Sequence, residues 1–217
     1  MFAQEAAWLS DRLQGLPVDA VSPLLNVGSS DRRFREQVQP YIDRVLFAPQ
    51  VERGVRVIHC DRKPHDGVDL VADIFEDEGL ARMAAAGPRA LVCSNVHEHV
   101  RDPGELSRRL LGLLPADGHL LVTVPHSYPY HEDPIDTLYR PCPDELAALH
   151  PGTEVVAQAR VTAGTYCESL RADPWRFFGD LAEQAGALVR RRAPSDALRL
   201  RWWSRAYAVS CVLLRKL

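Results

Sequence analysis

Several polar residues stand at the ends of apolar segments, where they could meet a small ligand. Gly28, Ser29 and Ser30 close the run PLLNVGSS, and Asp61, Asp73 and Asn95 close three later runs, GVRVIHCD, VDLVAD and RALVCSN. An aspartate after the second run is placed to accept hydrogen bonds from both hydroxyls of a ribose. Together these positions predict a site for an adenosine-containing ligand. Taken singly, Asp61 and Asp73 are equally well explained as solvated residues at strand ends.

Four histidines follow the fourth and fifth apolar runs and are candidate proton acceptors, because imidazole titrates near neutral pH. They are His97, His99, His126 and His131. We take His131 as the first candidate for a catalytic base and His126 as the second. His97 and His99 form an H-x-H pair, but no third ligand with fitting spacing accompanies them. The sequence therefore predicts structural histidines rather than a metal site, and Glu98 is expected to anchor a loop.

The elements that position these residues alternate along the chain. The predicted strands are PLLNVG, GVRVIHCD, VDLVADI, RALVCSN, GHLLVTVP, TEVVAQARVT and RAYAVSCVLLRK. Helical patterns lie at residues 3–15, in SDRRFREQV, at residues 75–86 and in DPGELSRRLLGLL. Strands that alternate with helices need crossover connections, so the sequence predicts an α/β fold with a doubly wound, mostly parallel sheet of seven strands and helices on both faces. In such sheets ligands bind at the carboxyl ends of the strands.

Length and composition limit the function classes. A chain of 217 residues with 46% hydrophobic and 25% charged residues is typical of one globular domain. The net charge of −3 argues against a nucleic-acid binder, since few cations are left to neutralise phosphates. No apolar run reaches the roughly 20 residues of a membrane-spanning helix. The five cysteines form no C-x-x-C pair and no secretory signal opens the chain, so we expect a cytoplasmic protein.

An ordered series of motifs resembles one family. LLNVGSS, VIHCD, VDLVADI, LVCSNVHEHVRDPGELSRRLLGLLPADGHLLVTVP and HEDPIDTLYRPCPDEL follow one another as in the class I S-adenosylmethionine-dependent methyltransferases. The E-H-V-x-D-P segment begins at Glu98, and the turn into the fifth strand resembles the family's L-K-P-G-G. The resemblance covers residues 23 to about 150 and the last strand. It implies a Rossmann-like sheet whose last strand is antiparallel, with S-adenosylmethionine as cofactor.

The resemblance also explains why one glycine suffices after the first strand. A pyrophosphate needs several glycines to approach the backbone at a helix N-terminus, whereas S-adenosylmethionine carries no phosphate. Within the family an acid usually precedes this loop and a second glycine stands in it; here Asn26 and Ser30 take those places. Residue by residue, the resemblance assigns cofactor contacts as follows: Asn26, Gly28, Ser29 and Ser30 at the loop, Asp61 at the ribose, Asp73 and Ile74 at the adenine, and Asn95 at the methionine end.

The family pattern H-x-x-P-x-D-x-x-R extends over His131, Pro134, Asp136 and Arg140. It implies that Asp136 and Arg140 contact the substrate while His131 acts as base. The alternative is structural, with Asp136 and Arg140 paired to anchor the loop. The expected substrate is a small-molecule acceptor, a glycan or lipid-linked metabolite among the options, and a homodimer is compatible with the sequence.

The whole chain, 1–217, is expected to form a single domain. Residues 1–20 carry an N-terminal helix, 21–162 the cofactor-binding core, 163–205 an insertion or cap, and 206–217 the last strand. The insertion concentrates aromatic residues, and DPWRFFGDLAEQAG within it predicts a helix. Two alternatives stay open. One is a catalytically inactive scaffold or partner subunit with the same fold. The other is a nicotinamide-dependent dehydrogenase, which the single glycine and the absence of a Tyr-x-x-x-Lys motif disfavour.

Overall fold

The seven predicted strands form one sheet in the computed structural model, which describes residues 1–131, 135–165, 167–168 and 204–217. The strands are β1 (Leu24–Val27), β2 (Val57–Asp61), β3 (Leu70–Val71), β4 (Ala90–Ser94), β5 (His119–Ser127), β6 (Thr153–Thr165) and β7 (Ala206–Lys216). Every residue of β1 is buried, and so are the first four of β4 and the first seven of β5. Continuous burial of this kind is typical of parallel strands covered on both faces.

The strand order is β3-β2-β1-β4-β5-β7-β6. The strands β1 to β5 pair in parallel, and β7 runs antiparallel to both β5 and β6. The order therefore reverses between β1 and β4, and their carboxyl ends form the switch point where ligands bind in such sheets. This architecture confirms the predicted α/β fold with a mostly parallel sheet and an antiparallel last strand.

Helices cover both faces of the sheet. In the described residues they are α1 (Ala3–Gln14), α2 (Val18–Val21), α3 (Ala48–Glu52), α4 (Asp77–Ala85), α5 (Pro103–Leu113) and α6 (Pro143–Ala148). Two π-helical stretches, Phe34–Val38 and Ile42–Phe47, follow β1, and a short 3₁₀ turn, His97–His99, follows β4. The start of α5 is set by Asp102, whose carboxylate accepts from the Glu105 amide at 2.9 Å, and by Pro103 in the first turn.

Two hydrophobic cores follow from the alternation of side chains along the strands. On one face, Leu25 and Val27 of β1 pack in a cluster that also takes in residues of α4, α5 and α6. On the other face, Leu24 packs in a cluster built with α1 and the second π-helical stretch. None of the helices in the part of the chain that the structure describes has the length and apolar character needed to cross a bilayer.

β6 continues to Thr165, which pairs with Ala206, and the division of the chain at residue 163 stays a prediction. The helix predicted in DPWRFFGDLAEQAG, together with the aromatic and arginine residues of the insertion, lies outside the described residues.

Substitution of Leu91 by alanine tests the buried centre of the sheet. Leu91 is 0% exposed in β4, so Leu91→Ala should lower the free energy of unfolding by about 2–5 kcal/mol. Val156→Ala is the matched control, since Val156 is 46% exposed on β6 and its change should stay within about 0.5 kcal/mol. Urea unfolding of both variants measures the difference, and equal losses would contradict this assignment of the core.

Candidate functional site

The loop after β1 makes a tight turn whose backbone amides are all used inside the protein. Gly28 and Ser29 both donate to the carbonyl of Cys60, at 2.9 and 3.0 Å. Ser30 donates to Oδ2 of Asp61 at 2.9 Å. None of these three N–H groups is left for a bound phosphate, which would need several converging amides. The loop therefore fits a ligand that approaches it without a pyrophosphate.

Arg35 holds the carbonyl side of the same loop. Its guanidinium donates to the carbonyls of Ser29 at 3.1 Å, Ser30 at 2.7 Å and Gly67 at 2.7 Å, and the residue is almost completely buried. Arg35 is not among the residues expected from the sequence, because nothing in SDRRFREQV distinguishes it from the arginines before it. The signal that could have identified Arg35 is its position in the sequence, in a predicted helix only five residues after the loop that ends at Ser30.

Close contact and left-handed backbone explain the residue types in the loop. Gly28 has φ +74°, and a Cβ added there would lie 2.8 Å from Cγ2 of Val96, the residue after Asn95. The loops after β1 and β4 therefore touch at the switch point. Ser30 has φ +56°, a region that glycine enters without strain and other residues enter at a cost. Its conformation is the one expected of the second glycine that the family usually carries there.

Asp61 lies at the end of β2 with acceptor capacity to spare. Oδ2 accepts from Ser30 and Oδ1 accepts from the amide of Lys63 at 3.1 Å. Each carboxylate oxygen has a second acceptor position, and the residue is partly exposed. The carboxylate can thus hold the loop and still accept hydrogen bonds from two ligand hydroxyls.

The other predicted adenine contacts lie after β3. Oδ1 of Asp73 accepts from the amide of Phe75 at 2.9 Å, while Ile74 is 7% exposed and packs in the core beside α4. A Cβ on Gly79 would overlap the carbonyl of Asp73, so α4 begins directly beneath this turn. The positions fit the predicted edge of the sheet, and their contact with adenine stays a prediction.

Asn26 is engaged by a neighbour on β2. Its Nδ2 lies 3.1 Å from Nδ1 of His59, its partner in strand register, and Asn26 is 6% exposed. An amide nitrogen only donates, so this contact requires an unprotonated Nδ1 on His59. Burial, followed by the positive charge of Arg35, lowers the pKa of His59 to about 4. Asn26 and His59 therefore form a neutral pair at the place where the family usually has an acid.

Glu5 of α1 bridges the residue that follows β4 and the middle of β5. Oε1 accepts from Nδ2 of Asn95 at 2.8 Å and from Oγ1 of Thr123 at 2.5 Å, while Oε2 accepts from the amide of Phe2 at 3.0 Å. The carboxylate is completely buried. Glu5 is not among the residues expected from the sequence, although its spacing of four from Leu9 places it on the apolar face of α1. This contact fixes α1 over the switch point.

The loop after β5 is held by a buried carboxylate. Asp136 pairs with Arg140 through Nη1 to Oδ1 at 3.0 Å and Nη2 to Oδ2 at 2.5 Å, and it also accepts from the amides of His131 and Leu138. Burial acts to raise the pKa of Asp136, but the hydrogen bonds from Arg140 and the backbone outweigh it and lower the pKa. Asp136 and Arg140 thus anchor the loop, as the structural alternative expected, and substrate contact by either stays a prediction.

His131 is placed by this anchor. Its Nδ1 lies 3.2 Å from Oδ2 of Asp136, and its ring is 5.0 Å from that of His99 and 5.2 Å from that of Tyr128. Burial lowers the pKa of His131, with Asp136 acting in the opposite direction. The imidazole therefore lies beside a carboxylate, and its lowered pKa favours the neutral form that can accept a proton.

The turn after β4 separates its two histidines. His97 is buried against His150, their rings 5.6 Å apart, and burial lowers its pKa to about 3. His99 instead faces the loop after β5, with Nδ1 2.6 Å from the carbonyl of Ile135. The two imidazoles of the H-x-H pair therefore face different parts of the protein and cannot bind one metal ion together.

Glu98 anchors the loop through its backbone, whose carbonyl accepts from both N and Oγ1 of Thr137 at 2.9 and 3.0 Å. Its side chain is completely buried, and burial raises the pKa of Glu98 to about 8. The predicted anchoring role thus belongs to the carbonyl rather than to the carboxyl group.

His126, the second catalytic candidate, has a different environment. Nδ1 lies 3.0 Å from the carbonyl of Pro141, and Nε2 lies 3.5 Å from Nη1 of Arg160. Because a carbonyl only accepts, Nδ1 carries the proton and the lone pair of Nε2 faces the arginine. Both ring nitrogens of His126 thus have neighbours within the protein, so this geometry favours His131 over His126 as base.

Substitution of Gly28 tests the contact between the two loops. Gly28→Ala should lower the free energy of unfolding by about 1–3 kcal/mol, because the Cβ meets Val96 and φ is positive. In the double variant with Val96→Ala the steric part should disappear, leaving about 1 kcal/mol beyond the effect of Val96→Ala alone. Additive effects in this cycle, measured by urea unfolding, would show that the predicted overlap is absent.

The neutral Asn26–His59 pair predicts a pH dependence of stability. The folded pKa of His59 is about 4 against an ordinary 6.5, so below pH 6.5 the unfolded chain binds more protons than the folded one. The contribution is complete above pH 6.5 and is lost towards pH 4, by an amount on the order of 3 kcal/mol. His59→Gln lacks this titration and should lose less stability between pH 7 and pH 4.5. Parallel stability curves for the two proteins would rule out the buried neutral imidazole.

Comparison with known proteins identifies the fold. No protein-family model and no curated protein matches the sequence. Among solved structures, coclaurine N-methyltransferase bound to N-methylheliamine and S-adenosylhomocysteine superposes with a TM-score of 0.57 at 16% identity, over 98% of this chain and 72% of that one.

Two further structures match less closely. A Burkholderia thailandensis 1,6-didemethyltoxoflavin N1-methyltransferase has TM-score 0.49 and 16% identity over 99% of this chain and 78% of its own. The N-methyltransferase NodS of Bradyrhizobium japonicum has TM-score 0.46 and 13% identity over 99% and 85%. Strand order, switch point and the first superposition together show that this chain has the fold of the class I S-adenosylmethionine-dependent methyltransferases.

Proposed function

We propose that this protein is a methyltransferase that uses S-adenosylmethionine to methylate a small-molecule acceptor. The observation that carries the proposal is the loop after β1. In this loop Gly28 has a positive φ and lies against Val96, and the nearby Asp61 carboxylate retains free acceptor positions. All three loop amides are already bonded, which disfavours a dinucleotide and suits a ligand without phosphate.

The residues present fit this cofactor. The absence of a side chain at Gly28 keeps the surface beside Val96 clear, and Asp61 offers acceptors to two ribose hydroxyls. Asp73 and Ile74 would face the adenine, and Asn95, oriented by Glu5, would lie at the methionine end. When bound, the cofactor supplies an electrophilic methyl group on its sulfonium. The protein then has mainly to align the acceptor, and alignment can supply much of the acceleration.

Deprotonation of the acceptor falls to His131 in this proposal. Its Nδ1 donates to the carbonyl of Pro129 at 3.4 Å and lies 3.2 Å from Asp136, which leaves Nε2 free to take a proton from a hydroxyl or amine of the acceptor. Tyr128 lies against His131 and also packs on Phe2 and Tyr207, so an aromatic wall borders this position. Such a wall favours an acceptor with an apolar part.

The Asn26–His59 pair supports a second candidate function, that of an inactive scaffold with the same fold. A neutral amide replaces the acid that the family usually has before the loop, so charge attraction for the ammonium group of the cofactor is missing at this position. Asn26 can still form hydrogen bonds with the cofactor. A measurement of S-adenosylhomocysteine binding therefore distinguishes the methyltransferase from the inactive scaffold.

Calorimetric titration with S-adenosylhomocysteine tests the proposal. The wild type should bind in the micromolar range, and Asp61→Ala should bind at least tenfold more weakly, about 1.4 kcal/mol, because the ribose acceptors are lost. Glu78→Ala, which removes an exposed acid from α4, is the matched control and should bind like the wild type. If the wild type does not bind S-adenosylhomocysteine at millimolar concentration, the methyltransferase proposal is overturned and the scaffold function is favoured.

A further inference from the structure

Three ligating groups meet where the turn after β4 contacts the loop after β5. One ligand atom from each of Glu98, His99 and His131 lies within 4.8 Å of the other two. Oε1 of Glu98 is 3.7 Å from Nε2 of His99, too far for a hydrogen bond. Two ligands that each lie about 2.1 Å from a tetrahedral zinc ion are about 3.4 Å apart, so this gap is close to the width of a metal site.

The carboxylate of Glu98 is buried without a partner. Its side chain is 0% exposed, and neither oxygen has a hydrogen-bond partner among the described residues. A buried carboxyl group left unpaired is unfavourable, and most such groups in proteins are hydrogen-bonded, paired with a charge or coordinated to a metal. The Glu98 carboxylate therefore lacks a partner, and a bound cation would provide one.

Both imidazoles are held in the tautomer that a metal ligand requires. Nδ1 of His99 donates to the carbonyl of Ile135 at 2.6 Å, which leaves the lone pair on the Nε2 that faces Glu98. Nδ1 of His131 lies 3.2 Å from the carboxylate of Asp136 and 3.4 Å from the carbonyl of Pro129. Metal-binding histidines commonly direct their second nitrogen to a carboxylate or carbonyl in this way.

We propose that Glu98, His99 and His131 bind a divalent transition-metal ion through one oxygen and two imidazole nitrogens. Imidazole nitrogens favour zinc and its neighbours, whereas magnesium and calcium prefer oxygen ligands throughout. Three protein ligands leave one coordination position open for a further ligand.

Metal binding goes beyond the methyltransferase function and does not depend on it; only its effect on an acceptor rests on that function. With an ion bound, His131 is a ligand rather than a base, and the ion lowers the pKa of a coordinated hydroxyl or water. Activation of the acceptor then passes from the imidazole to the metal.

Titration of metal-free protein with zinc chloride, followed by calorimetry, tests the site. The wild type should bind one ion per chain with a micromolar or smaller Kd. Glu98→Gln keeps the size of the side chain and removes its charge, and it should weaken binding at least tenfold; His99→Gln should do the same. His65→Ala removes an exposed histidine far along the chain from these ligands and should bind zinc like the wild type.

Spectroscopy and folding controls make each outcome decisive. Cobalt(II) added to the wild type should give visible absorption bands that zinc displaces and that Glu98→Gln lacks. Circular dichroism verifies that each variant is folded, and if one variant fails to fold the other decides. Failure of the wild type to bind a single zinc ion, or equal affinity in wild type and the folded variants, would overturn the site. S-adenosylhomocysteine binding is measured separately without metal, so either proposal can fail alone.

Discussion

The arrangement of the site depends on how the backbone of residues 28–30 is satisfied. Arg35 donates hydrogen bonds to the carbonyls of residues 29 and 30. The amides of residues 28–30 donate to the carbonyl of Cys60 and to the carboxylate of Asp61. Because buried backbone groups without partners are strongly unfavourable, this bonding fixes one conformation of the turn. It also links β1, β2 and the first π-helical stretch at the switch point of the sheet. The chemistry of the ligand follows, since a turn with no amide left over selects against phosphates.

A second constraint comes from α1, which reaches the same edge of the sheet through Glu5. The hydrogen bonds that Glu5 accepts from Asn95 and Thr123 connect a helix at the start of the chain to the end of β4 and the middle of β5. Phe2 adds stacking on Tyr207 and an edge contact with Tyr128. The acceptor side of the candidate site is therefore built from segments far apart in sequence, and its geometry depends on their joint packing.

The sequence predicted the sheet well because each strand carries its own local signal, and the strand ends were enough to locate Gly28 and Asp61. It could not predict contacts that depend on packing between distant segments. From the sequence alone Arg35 and Glu5 look like surface charges. That a charged residue is buried can be recognised only from the structure, which shows the partners it contacts. The third group beside Glu98 and His99 was missed for the same reason: His131 lies 32 residues further along the chain and arrives through the Asp136–Arg140 anchor.

The register of β6 and β7 has a consequence for how this protein can diversify. Thr165 pairs with Ala206, so the segment that joins these strands leaves and re-enters the sheet at adjacent points. Since β6 runs parallel to β5, both points lie at the edge of the sheet where the candidate site is located. A segment with neighbouring ends can change in length or be exchanged as a module at little entropic cost to the scaffold. The segment between β6 and β7 can thus vary in sequence and length while the pairing of the strands stays unchanged.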